Sequence, residues 1–277
     1  MNLFKTIALL TTLTLILVAA GGILGGAGGA LLALIIAGVM NFVSYWYSDR
    51  IVLAMYRGQQ VESGTLYEVV SEICRRNALP LPKVYILPQT TPNAFATGRN
   101  PRHAVVAATE GILRILSREE LTGVMAHEMA HVGNRDILIG SIAATVAGAI
   151  SYLAHMAQWA AIFGMGRDDD EGSNPLALIL LMIFAPIAAM LVQMAISRSR
   201  EYVADRRGAE LCGNPRYLSN ALRKLEVSNR QAPMPQVNEA TAHMFIVNPL
   251  RAGGLMSFFS THPPMEERVR RLDAMQL

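Results

Sequence analysis

His127-Glu128-Met129-Ala130-His131 sets two imidazoles four residues apart, with a carboxylate beside the first. On a helix, positions i and i+4 share a face, so both rings can aim a nitrogen at one metal ion. Two imidazoles and a carboxylate suit zinc best among the divalent ions. Glu128 is then placed to take a proton from a water activated there, which is the chemistry of a metal-dependent hydrolase. An uninvolved histidine pair is the plain alternative, and the local signals weigh against it. Ser117-Arg-Glu-Glu120 is a capping box that opens a helix through Leu121, Val124 and Met125 to about Val132, and Gly133-Asn134 stops it.

A catalytic zinc needs a third protein ligand and an open position. His103, His243, His262 and the acids are candidates, and the sharpest acid is Glu201, in Ser199-Arg-Glu-Tyr-Val-Ala-Asp205. Glu201 and Asp205 are again four apart, so one can bind the ion while the other holds a ligand imidazole from behind. A surface salt bridge among Arg198, Arg200, Arg206 and Arg207 is the competing reading of both acids.

The elements that must position these groups are partly membranous. Of the 277 residues 52% are hydrophobic and 16% charged, which does not describe a soluble chain. The net charge of +3 is too balanced and scattered for a nucleic-acid groove binder. Two cysteines, Cys74 and Cys212, make no disulfide framework, so reduced thiols are expected and any metal falls to histidine and carboxylate.

Thr6 to Ser48 is a charge-free run of 43 residues, about twice what a bilayer core needs from one helix. It must fold back, and GGILGGAGG, Gly21 to Gly29, is where a continuous helix is least favourable. Spans are expected near 5–23 and 28–47, with Tyr45, Trp46 and Tyr47 as an interfacial aromatic belt. A cleaved signal peptide is the competing reading of the first stretch, on Lys5 and the small residues Ala19, Ala20 and Gly21.

Two more uncharged runs lie between Asp136 and Arg167 and from Ser173 to Ser197. The acidic GRDDDEGSNP separates them, while Lys5, Arg50, Arg57, Arg135, Arg198 and Arg200 flank the opposite ends. The positive-inside rule puts both termini in the cytoplasm. Ser151, His155 and Gln158 would form a polar stripe on the third span, read as interhelical hydrogen bonding, with a lateral cleft as the alternative. The even number of spans between His131 and Glu201 returns the chain to one side. Arg118, Glu119 and Glu120 before the histidines, and Asn134, Arg135 and Asp136 after them, place the site outside the apolar spans.

Within the polar segments, Ser63 to Asn77 reads as a helix burying Leu66, Val69, Val70 and Ile73. Lys83 to Leu87 and His103 to Ala108 read as strands, and Asn93 to Thr97 as a short edge strand. Helices follow over Ser199 to Leu211 and Tyr217 to Val227, then an exposed loop over Asn229 to Asn238. A basic helix runs from Pro263-Pro264 to about Ala274, its charges read as a solvated face.

Together, H-E-M-A-H-x-x-N-R-D, S-R-x-R-E-Y-x-A-D, Pro92-Asn-Ala-Phe-Ala-Thr-Gly98 and Ser260-Thr-His-Pro-Pro264 resemble the HtpX family of bacterial membrane zinc metallopeptidases, gluzincins related to the CAAX prenyl proteases. The resemblance covers nearly the whole chain. It implies an α+β membrane protein: four transmembrane helices in two hairpins, and a cytoplasmic, mainly helical zincin-like protease domain with a small antiparallel sheet. The division is 1–48 transmembrane hairpin, 49–136 first protease segment, 137–197 second hairpin and 198–277 second protease segment. It further implies that His127, His131 and Glu201 bind one zinc ion (Zn2+) per chain and that Glu128 is the catalytic base. Asn93 to Thr97 would pair antiparallel with an extended substrate, and His262, assisted by Arg268, would hydrogen-bond the oxyanion.

The expected activity is endoproteolysis of misfolded or damaged membrane proteins, cut on the cytoplasmic side of a bacterial inner membrane as quality control under stress. Partners are the lipid bilayer and membrane protein substrates, with no nucleic acid, and nothing in the pattern specifies an oligomer. The rivals are a non-catalytic scaffold or chaperone-like factor held together by zinc, and a CAAX-like enzyme dedicated to one processed peptide.

Overall fold

The computed structural model describes residues 2–134, 136–138, 198–231, 246 and 263–277. Nearly all of the expected second hairpin with its polar stripe lies outside the described residues, as do His243, His262 and the expected loop beyond residue 231.

The first helix, α1 (Asn2–Met55), is broken at Gly25 and Gly26. Gly26 takes φ 58°, ψ −146°, a conformation that residues with a Cβ essentially never adopt, so the reversal falls inside the glycine-rich stretch. The two arms then run back along each other. Asn41 Nδ2 donates to Thr14 Oγ1 at 3.0 Å, and a Cβ on Gly21 would stand 2.5 Å from the Gly29 carbonyl oxygen. Small residues bring the backbones into contact, and the polar pair satisfies itself where apolar surroundings would leave it orphaned. The stretch Gly25–Tyr47 is 23 residues long and reaches a mean hydropathy of 2.0 over its most apolar 18 residues, long and apolar enough to cross a membrane.

Beyond α1 come β1 (Gln59–Val61), α2 (Thr65–Arg76), β2 (Lys83–Leu87), β3 (Ala94–Gly98), β4 (Ala104–Thr109), α3 (Glu110–Ile115) and α4 (Arg118–Gly133). The strands form one sheet in the order β1-β2-β4-β3. The sheet is mixed, not antiparallel as expected: β2 and β4 run parallel, with Tyr85 opposite Ala107. The reason is the connection, residues 88–103, which is long enough for the crossover that parallel strands require. Within it β3 doubles back to pair antiparallel with the far side of β4, Ala96 opposite Val106, and so occupies the expected edge.

Every residue of β4 is buried because both faces of the sheet are covered. Ala104, Val106 and Ala108 face the cluster that contains α2 and α4, whereas Val105 and Ala107 join Val52, Leu53, Tyr56, Leu87 and Phe95 against the end of α1. Alternation of side chains along the strand thus links the end of α1 to the helical layer. On that other side, α2 buries Leu66, Val69, Val70, Ile73 and Cys74. The helices α5 (Arg198–Cys212), α6 (Pro215–Gln231) and α7 (Met265–Asp273) complete the layer. The first residues of the expected loop, 229–231, instead close α6. The charges of α7 are not all solvated: Arg268 is fully buried.

Candidate active site

The capping box forms as read from the sequence: Ser117 Oγ accepts from the Glu120 N–H while the Glu120 carboxylate accepts from the Ser117 N–H. From that start α4 runs through the centre of the domain and buries side chains around its whole circumference, including His127 and Glu128. Gly208 lets α5 approach at backbone contact, since a Cβ there would stand 2.8 Å from His127 Cα. Glu201 lies two turns earlier on the same side of α5 and is thereby brought to the histidines.

The ligand atoms of His127, His131 and Glu201 all lie within 4.8 Å of one another. The two Nε2 atoms are 3.2 Å apart, Glu201 Oε1 is 3.3 Å from His131 Nε2, and Glu201 Oε2 is 3.7 Å from His127 Nε2. Tetrahedral ligands about 2.1 Å from zinc stand about 3.4 Å from each other, so the donor set fits the ion. The far nitrogens support this. His127 Nδ1 is 3.0 Å from Asp205 Oδ1, though out of line for a straight hydrogen bond, and His131 Nδ1 is 3.4 Å from Asp136 Oδ2. A carboxylate at Nδ1 favours the proton there, which leaves a lone pair on each Nε2. A divalent cation between the two rings would take both lone pairs and displace the proton that His131 holds without it.

Each of those carboxylates has its own arginine. Arg268 grips Asp205 with two hydrogen bonds, Nε to Oδ2 at 2.9 Å and Nη2 to Oδ1 at 2.7 Å, and its Nη1 donates to the Ile246 carbonyl. Arg200 Nη1 is 3.7 Å from Asp136 Oδ1. Asp205 is expected behind an imidazole; Asp136 is not, although it closes the motif that begins at His127. Arg268, expected near the reaction, is bound to Asp205 and also stands 3.5 Å from His127 Nε2 and 3.6 Å from Glu201 Oε2. His103, a rival third ligand, is exposed and bonded to Asn100 Oδ1.

Asp136→Asn is expected to weaken metal affinity about 10- to 100-fold, because the amide no longer fixes the His131 tautomer. Competition against a chelating dye reads this, and unchanged affinity would show that Asp136 does not support the ring.

Burial pushes the Glu128 carboxyl up to about 8, countered by the His131 charge and reinforced by Glu201. The Ala96 backbone N–H of β3 donates to it, which puts this acid against the edge strand. Burial pulls His127 below its ordinary value despite Asp205. Burial also acts downward on His131, but the hydrogen bonds that the ring donates to the Asp136 and Glu201 carboxylates outweigh it and push the ring up to about 10. The pocket is therefore rich in negative potential that a divalent cation would neutralise.

In the metal-free protein this has a measurable consequence. Folded Glu128 keeps its proton to about pH 8 while the unfolded chain loses it near 4.5, so between these values the folded state binds more protons. Its stability contribution is complete below 4.5 and lost as pH rises through 8. Chelated protein is expected to unfold at falling temperatures as pH goes from 5 to 8. Glu128→Gln is expected to flatten part of that slope, and an identical slope in both proteins would contradict the assignment.

Comparison with known proteins places this geometry. The model of peptidase family M48 matches residues 60–276. A protein named "Protease HtpX homolog" from Syntrophotalea carbinolica is 76% identical over 99% of both chains. Another of the same name from Aquifex aeolicus is 54% identical, covering 93% of this chain and 87% of its own. Among solved structures, Ste24p of S. mikatae is similar with TM-score 0.54 and 18% identity, over 98% of this chain. The chain spans 65% of the length of that structure, and the likeness is one of fold.

Proposed function

Because the chain belongs to peptidase family M48, whose members are zinc-dependent metallopeptidases, we propose that this membrane metalloprotease works through His127, His131 and Glu201 as zinc ligands and Glu128 as general base. The observation that carries the reading is the convergence of the three ligand atoms with Glu128 buried beside them and hydrogen-bonded to β3. Zinc, when bound, supplies Lewis acidity toward the scissile carbonyl. Glu128 takes the proton of the attacking water on its carboxylate and returns it to the departing amine. A carboxyl poised near neutrality is matched to both halves of that transfer. Asp205 and Asp136 hold the two rings in the tautomer the site needs. The outer edge of β3 offers its backbone to an extended peptide, so recognition rests on main chain more than on side-chain identity.

The substrates are misfolded or damaged membrane proteins. The chain crosses a bacterial inner membrane four times, as hairpins 1–48 and 137–197, and the protease domain formed by 49–136 and 198–277 stands in the cytoplasm with both termini. The charge asymmetry of the loops and the length of the apolar runs support this topology. Reconstituted protein given a panel of unrelated unfolded membrane proteins is expected to cut most of them in cytoplasmic loops. Cleavage of a single one, or only of external loops, would overturn the substrate class or the orientation respectively.

A further inference from the structure

We infer that the turn after β3, residues 99–103, together with Arg50 of α1, is a docking surface for anionic phospholipid headgroups. The inference rests on the membrane placement of α1 proposed above and adds a lipid chemistry to it.

Trp46 and Tyr47 close the apolar arm of α1 and are 44% and 43% exposed, as an interfacial belt requires. The chain leaves β3 through Gly98, at φ 122°, and comes back to this belt: the Arg99 guanidinium carbon lies 4.4 Å from the centre of the Trp46 ring. Arg50 stands 5.5 Å from the centre of Tyr47. Asn100 Oδ1 accepts from the backbone N–H groups of Arg102 and His103, which pins the turn and leaves both side chains exposed. Cationic groups are thus held at the level of the aromatic belt by two different parts of the chain.

Among the described residues, Arg50, Arg99 and Arg102 form no ion pair; Asp49, beside Arg50 in sequence, reaches none of them, and Glu110, the acid nearest in sequence to Arg99 and Arg102, is held by Arg114. Elsewhere on the domain surface Arg114, Arg118, Arg206 and Arg271 each hold a carboxylate. Guanidinium groups that no described carboxylate neutralises, two of them stacked on the aromatic belt where headgroups lie, meet the negative surface potential of the bilayer at its strongest. Their planar donors also match a phosphate diester. Occupancy would fasten the Gly98 end of the edge strand to the membrane surface.

The test uses full-length protein carrying Trp159→Phe, so that Trp46 is the remaining indole. It is reconstituted in vesicles of phosphatidylcholine and phosphatidylglycerol at one fixed ratio, with brominated acyl chains on either lipid. Quenching of Trp46 by the brominated anionic lipid is expected to exceed that by the brominated zwitterionic lipid, with local enrichment of roughly fivefold per arginine. Arg99→Gln with Arg102→Gln should remove the difference, and Arg99→Lys with Arg102→Lys should keep most of it. Equal quenching by both lipids in the unsubstituted loop would overturn the proposal while leaving α1 in the bilayer, and would hand the arginines to an acidic protein segment. Quenching by neither would overturn the membrane placement itself, and the proposal with it.

Discussion

Glu128→Gln is expected to lower the cleavage rate by about a thousandfold or more while the protein keeps its zinc and its fold. General acid–base catalysis contributes about 100- to 10,000-fold by itself, and here one carboxyl serves both the attack and the departure. The amide is isosteric and still accepts from the Ala96 N–H. It replaces a carboxyl that burial already keeps protonated to about pH 8, so the metal-free variant should be no less stable than wild type. Cleavage of an unfolded casein-like protein, measured beside zinc content, checks both halves. Zinc retained with cleavage unchanged would assign the base elsewhere.

Removing Arg268 carries the largest structural penalty. Its side chain is fully buried and bound through two hydrogen bonds to Asp205, itself 4% exposed, with Glu201 Oε2 3.6 Å from Nη1. Arg268→Met leaves a buried carboxylate without its cation, at a cost of about 3–5 kcal/mol. The double variant Arg268→Met with Asp205→Asn removes both charges and is expected to recover most of that stability, since replacing a whole buried pair is often neutral. It should not recover zinc affinity, because His127 still lacks the carboxylate that orients it. Unfolding of the detergent-solubilised variants reads the first effect and chelator competition the second. Equal stability of single variant and wild type would remove Arg268 from this role.

The catalytic helix was legible because its signals are local. The capping box, the spacing of the two histidines and the Gly133-Asn134 stop need no knowledge of the rest of the chain. The same holds for α2, whose apolar residues lie on one face, and for the reversal at Gly25–Gly26 inside a glycine cluster. Glu201 was one of several candidates by spacing, and the matching of whole motifs singled it out. What escaped the sequence depends on distant contacts. Parallel pairing of β2 with β4 follows from a crossover that strand patterns do not encode. Strand β1 is three residues, Gln-Gln-Val, too short and too polar to register. Arg268 sits in a helix whose composition reads as solvated, and only the meeting of α7 with α5 turns it inward. Asp136 looked like the edge of an apolar run, and its contact with His131 required the turn at the end of α4.

The most direct test of the zinc centre is elemental analysis of purified wild type and Glu201→Gln, with cleavage followed before and after chelation. The account predicts one zinc per wild-type chain, cleavage abolished by the chelator and restored by added zinc, and a Glu201→Gln protein that folds but holds little zinc and cuts little. Full zinc content in Glu201→Gln, or cleavage that survives removal of the metal from wild type, would contradict it.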